Sequence, residues 1–223
     1  MPPPPRPLIL LPGMGADARM YLPLRAQVPH LRVLRLREHR AGEPLPAYAA
    51  RLATEIPDGA IVGGSSFGGM LAVQMALIRP VHAVLLIGSA PDPARIPLMA
   101  LAGTMRLLPE AALGASASPG WLAGLGFGFG EVRQAAMFRR MLAATPSGFV
   151  RWAVAALRGA EPIDRARLDA LPGGWHAIHG TRDRIIPIRT QPHAVRLPGA
   201  GHLPALTHPR AVAAWLRPLL ETR

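Results

Sequence analysis

The chain has 223 residues, half of them hydrophobic, with no cysteine and a formal net charge of +12. That length buries a sizeable core without a covalent staple, and the missing cysteine excludes disulfides, thiolate metal sites and cysteine nucleophiles. All 25 basic residues are arginine, with no lysine or asparagine, and they are spread along the whole chain, which argues against nucleic-acid binding even though the charge attracts anionic partners at low salt.

The N-terminus "MPPPPRPLILLPGMG" has only Leu8 to Leu11 unbroken before Pro12 and Gly13, too little for a signal peptide. No segment approaches the roughly 18 uninterrupted apolar residues of a membrane span, so a soluble, cytoplasmic protein is expected. Further along, short apolar runs ending in glycine or proline alternate with longer stretches at helical spacing. That pattern predicts a three-layer α/β fold, a mostly parallel sheet covered by helices. Strands are predicted at Pro7–Leu11, Leu31–Leu36, Ala60–Gly63, Ala83–Ile87, Trp175–His179 and His193–Leu197, and helices near Tyr48–Glu55, Phe67–Ile78 and Pro209–Leu220.

Between Pro91 and Pro162 the rhythm breaks. The segment shows helical stretches, Leu98–Leu108 and Glu131–Ala144, but no convincing strand. It reads as a helical cap, residues 91–162, inserted into a core formed by 1–90 and 163–223. Within it "GLGFGFG", Gly124 to Gly130, resembles a dinucleotide fingerprint but lacks the preceding strand and surrounding βαβ unit. A cap hinge or apolar loop is expected there, and no cofactor.

The chemistry concentrates in three loops. "GGSSFGG", Gly63 to Gly69, contains G-x-S-x-G with Ser66 in the central position; Ser65 does not satisfy the pattern. Such a serine sits on a strained strand-to-helix turn with small residues two before and two after it, and the helix N-terminus behind it presents unpaired N–H groups to developing negative charge. A serine hydroxyl needs a base and a group to orient that base. In "HGTRDRIIP" Asp183 follows the strand ending at His179, and in "LPGAGHLPALTHP" His202 follows the next strand. All three loops leave the carboxyl ends of strands, where sites form in open α/β sheets.

These motifs, in this order and spacing, resemble the α/β-hydrolase fold superfamily over nearly the whole chain, with a short N-terminus that starts at the first of the recognised strands. The chain length, the cap position and "GHLPALTHP" are most similar to small carboxylesterases of the pimeloyl-ACP methyl ester esterase type. The resemblance implies Ser66 as nucleophile, His202 as general base and Asp183 as acid. It implies an oxyanion hole from the backbone N–H of Phe67 and of Met14, although Pro12-Gly13 stands where the family often has His-Gly.

Other residues compete. Asp92 also follows a strand end and is the alternative acid; His208, before Pro209, reads as a capping or packing residue. His176 and His179, taken to share one strand face near Asp183, suggest a metal pair, but no third strong ligand is evident and no metal is expected. Asp17 reads as a helix N-cap. Met99, Met105, Leu107, Leu108, Phe127 and Phe129 of the cap read as core, with one or two lining an acyl pocket. Arg139, Arg140, Arg151 and Arg158 form a solvated helix face or receive an acyl carrier protein or a CoA phosphate. The expected substrate is a small-molecule carboxylic ester or thioester. The same fold also hosts cofactor-free lyases, haloperoxidases and binding proteins, which stay open at this point.

Overall fold

The computed structural model describes residues 5–93, 96 and 127–221. The runs expected to be strands form β1 (Leu8–Leu11), β2 (Arg32–Val33), β3 (Ile61–Ser65), β4 (Ala83–Ile87), β5 (Trp175–Gly180) and β6 (Val195–Leu197). They pair in the order β2-β1-β3-β4-β5-β6, every pair parallel. The helices are α1 (Leu22–Arg25), α2 (Leu45–Ala53), α3 (Phe67–Ala76), α4 (Val132–Ala143), α5 (Ser147–Arg158), α6 (Arg165–Asp169), α7 (Pro204–Thr207) and α8 (Pro209–Glu221).

β1, β3 and β4 are buried at every residue. A strand covered on both faces reads as a continuous apolar run, and its side chains alternate between two layers. Leu8, Leu10, Ile61, Leu85 and Ile178 join one core cluster with Leu24 of α1 and Val212 and Leu216 of α8. Ile9, Leu11, Val62, Val84 and Leu86 join the other, with Tyr48 of α2 and Leu71 of α3. The chain runs outward from β1 to β2, returns to β3 and then proceeds the opposite way. The reversal leaves a crevice between the carboxyl ends of β1 and β3.

Between β4 and β5 the described residues contain no strand, only α4 and α5 before the short α6. α4 sends Phe138 and Met141 into one cluster, while α5 sends Phe149, Trp152, Ala153 and Leu157 into the other. The two helices therefore straddle the sheet, one in each layer. Trp152 ties α5 to α2: its indole N–H donates to the Glu43 carbonyl at 2.7 Å, and its ring lies 4.5 Å from that of Tyr48.

Some boundaries differ from the sequence expectation. β2 is a two-residue edge strand rather than Leu31–Leu36, because only β1 pairs with it. β3 runs from Ile61 to Ser65 and so continues past the expected end at Gly63, since the neighbouring strands pair with Gly64 and Ser65 as well. α1, α5, α6 and α7 were not read as separate helices. Leu98–Leu108, with Met99, Met105, Leu107 and Leu108, lies outside the described residues. No helix among the described residues is long and apolar enough to cross a membrane.

The layering makes a direct prediction. Leu86, 0% exposed in β4, has no room to collapse around a cavity, so Leu86→Ala should cost about 2–5 kcal/mol in urea unfolding. Val132, 86% exposed at the start of α4, should change stability by less than about 0.5 kcal/mol when replaced by alanine.

Candidate active site

β3 ends at Ser65 and α3 begins at Phe67, so a single residue makes the turn. Ser66 has φ 51 and ψ −121 and is the only non-glycine residue with positive φ among the described residues. Such a conformation costs on the order of 1–3 kcal/mol and persists only where its surroundings enforce it. Here the Ser66 carbonyl accepts from Gly69 N at 3.0 Å, Met70 N at 3.3 Å and Ser89 Oγ at 2.6 Å, and the Ser66 amide donates to the Ile87 carbonyl at 3.3 Å. Gly64 and Gly68, which frame the motif, are required by close approach rather than by flexibility: a Cβ on either would press into the Leu11 carbonyl.

The two serines diverge. Ser66 Oγ lies 2.9 Å from His202 Nε2, whereas the Ser65 hydroxyl is buried with no partner and its amide donates to the Tyr21 hydroxyl.

Asp183 sits on the turn that leaves β5, its amide donating to the Gly180 carbonyl at 3.2 Å. Oδ1 accepts from the Ile185 and Ile186 amides, each at 2.8 Å, and Oδ2 lies 2.8 Å from His202 Nδ1. Burial alone would raise the Asp183 carboxyl. The facing His202, with hydrogen bonds from His179 and His202, outweighs it and holds the group well below the usual carboxylate range. An ionised Asp183 is an acceptor only, so Nδ1 of His202 carries the proton and Nε2 is left to accept from the Ser66 hydroxyl. His202 is held from behind as well, its amide donating to the Phe127 carbonyl at 3.1 Å.

One participant was missed. His179 Nε2 lies 2.9 Å from Asp183 Oδ2 and 2.6 Å from the Ile186 carbonyl, with the ring fully buried. The signal was the spacing H-G-x-x-D at a strand end, where the exit turn brings residues four apart together. The expectation that His176 and His179 share a face is corrected: side chains three apart in a strand point to opposite faces. His176 Nε2 instead meets the Gly173 carbonyl at 2.9 Å.

The loop after β1 closes the crevice from the other side. The Ala16 amide donates to the Gly13 carbonyl at 3.0 Å and Gly15 has φ 77, a type II turn with Met14 and Gly15 at its centre. Gly13 rests against the turn at Ser66, a Cβ on it falling 3.5 Å from Ser66 Cβ. Phe67 is the first residue of α3, so its N–H has no partner inside the helix. Met14 and Phe67 thus flank Ser66 in the chain segments that meet there.

Among the competing residues, Asp92 is buried, and it is Asp183 that bonds His202. His208 Nδ1 meets Thr207 Oγ1 at 2.8 Å, at the end of α7. Asp17 is the N-cap expected, accepting from the Arg19 amide at 2.9 Å. Phe127 packs its ring 5.7 Å from that of His202 and stacks on Phe129, so the described part of the glycine-rich stretch is a loop against the histidine turn. Arg139, Arg140, Arg151 and Arg158 are all exposed on α4 and α5. A cavity of about 800 Å³ opens beside Asp183, walled by Phe129, Glu131, Gln134, Arg182 and His208 among others; Ser66 is not in its wall.

The chain is similar to known proteins over nearly its whole length. The chain is 28% identical to a pimeloyl-[acyl-carrier protein] methyl ester esterase of Aromatoleum aromaticum, over 96% of this chain and 98% of that protein. Among solved structures it is similar to a hydrolase from Pseudomonas aeruginosa, with a TM-score of 0.72 and 22% identity over 97% of this chain and 91% of the other. It is also similar to a thermophilic esterase from Thermogutta terrifontis, with a TM-score of 0.69 and 21% identity over 96% and 90%. The sequence profile described as the alpha/beta hydrolase family matches residues 8–215. The chain belongs to the alpha/beta hydrolase family.

Proposed function

We propose that the protein is a serine esterase that hydrolyses a carboxylic ester through an acyl-enzyme on Ser66. The observation that carries this reading is the continuous hydrogen-bonded chain from Ser66 Oγ to His202 Nε2 at 2.9 Å and from His202 Nδ1 to Asp183 Oδ2 at 2.8 Å. In this reading Ser66 Oγ attacks the carbonyl carbon while His202 Nε2 takes its proton. The oxyanion that forms is met by the N–H groups of Phe67 and Met14, each worth about 3–4 kcal/mol to the transition state. His202 then returns the proton to the leaving alcohol. Water attacks the acyl-enzyme, gives its proton to Nε2, and the acid leaves as Ser66 is restored. Asp183 holds the Nδ1–H tautomer and stabilises the imidazolium without itself taking the proton.

Residues 91–162 act in this reading as the cap that shapes the acyl site, with α4 and α5 as its described part. A thioester would fit the same chemistry. The name of the Aromatoleum relative supports an acyl group delivered on a carrier protein. Arg139, Arg140 and Arg158, exposed on α4 and α5, suit an acidic carrier or a CoA phosphate. A series of p-nitrophenyl esters of rising chain length, run beside acyl-CoA thioesters, tests the substrate class.

Replacing Ser66 by alanine should lower kcat by on the order of 10⁴-fold or more. Ser65→Ala should leave kcat within about fivefold, because the Ser65 hydroxyl has no partner to lose. Equal losses in the two variants would reject the assignment.

The pH profile gives a second check. Since the folded state holds the Asp183 carboxyl below its ordinary value, its ionised form is stabilised at any pH above the unfolded value of about 3.9, and that contribution is lost only as pH falls through the depressed one. Asp183 should therefore stay ionised wherever the enzyme works, so log(kcat/KM) should fall on the acid side with a slope of about 1, the mark of a single protonation. A slope of about 2 would mean that Asp183 takes up a proton in the same range.

A further inference from the structure

The ladder between β1 and β3 is interrupted at its carboxyl end. The Ile61 amide donates to the Pro7 carbonyl at 2.9 Å, and the two strands stay in register from Leu8 opposite Ile61 to Leu11 opposite Gly64. In a parallel pair such bonds recur at every second residue. Four residues on, the corresponding rung would join the Ser65 amide directly to the Leu11 carbonyl. A phenol stands there instead: the Ser65 amide donates to Tyr21 Oη at 2.9 Å, and Tyr21 Oη donates to the Leu11 carbonyl at 2.7 Å. Tyr21 reaches this point from the turn Ala18–Tyr21 and is 0% exposed. Burial pushes its phenol far above the ordinary value, so it remains a donor.

The two strand ends it separates carry different parts of the site. Leu11 leads into Pro12, Gly13 and Met14, and Ser65 leads into Ser66. We propose that Tyr21 is a positioning residue, its hydroxyl serving as a one-atom spacer in the β1–β3 ladder that sets the separation between the Met14 loop and Ser66. The inference rests on the esterase reading above. Without the oxygen, the strands either close by forming the direct rung or leave two buried backbone groups unpaired. Either change moves the Met14 N–H relative to the nucleophile, and misplacement by about 1 Å costs a reacting group about 100-fold. Because the oxyanion exists only beyond the ground state, the loss falls on kcat rather than on KM.

The test is Tyr21→Phe, which deletes one oxygen, assayed with p-nitrophenyl acetate and normalised to sites titrated with a fluorophosphonate. Tyr48→Phe serves as the control, since the Tyr48 hydroxyl donates to the Arg37 carbonyl at 2.7 Å in a different part of the fold. The expected result is a kcat per titrated site lowered about 10- to 100-fold with KM within about threefold, and a wild-type kcat in the control. A Tyr21→Phe enzyme with wild-type kcat per site overturns the proposal, even if it melts earlier, because that is what a purely structural tyrosine does. Amide hydrogen exchange provides a readout independent of turnover. In the wild-type protein the Ser65 amide should be as protected as the β3 amides before it, and in Tyr21→Phe it should exchange at a changed rate; free exchange in the wild type overturns the spacer. If the wild type hydrolyses no ester, the esterase reading fails, while the exchange comparison still decides the role of Tyr21. The exchange of the wild type also decides it if Tyr21→Phe does not fold.

Discussion

The absence of a loop between β3 and α3 is the constraint on which the site depends. A strand and a helix joined by one residue must turn sharply, and Ser66 accepts a left-handed φ to do so. The turn survives because other backbone segments are packed onto it. The Leu11 carbonyl occupies the space where side chains of residues 64 and 68 would be, and Ser89 clamps the Ser66 carbonyl at 2.6 Å. What results is a hydroxyl held forward of the sheet, with a helix N-terminus directly behind it. Strain at this one residue is therefore supported by the packing of β1, β3, β4 and α3 together with the Gly69 and Met70 amides on the Ser66 carbonyl.

The surrounding packing extends that rigidity outward. Phe67, the residue after Ser66, is fully buried and meets Phe149 and Trp152 edge-on at 6.1 and 6.2 Å. Those rings belong to α5, and Trp152 in turn stacks under His39 and anchors on the Glu43 carbonyl. On the other face Phe127 holds the backbone and the ring of His202. The described residues between β4 and β5 thus touch both Phe67 and His202.

Much of this was written in local patterns. β4 was legible end to end because Ala83–Ile87 is an unbroken apolar run between His82 and Gly88. Ser66, Asp183 and His202 were legible because each follows a strand end, and the fold brings all such ends to one edge. β3 was cut short by two residues because Gly64 and Ser65 look like the start of a turn until the neighbouring strands are in place. The contribution of His179 was obscured by an assumed shared face with His176, which strand alternation forbids. Tyr21 was out of reach, because its meaning depends on an amide 44 residues away and a carbonyl 10 residues back meeting at one oxygen. Local periodicity carries no record of such a meeting.

The most direct measurement is peptide-resolved mass spectrometry of the protein after exposure to a fluorophosphonate. If Ser66 is the activated residue, one adduct per chain should form, located on Ser66 and absent from Ser65, and it should disappear when His202 is replaced by alanine. An adduct on Ser65, or no adduct on the folded wild-type protein, would contradict the assignment of an activated nucleophile to this turn.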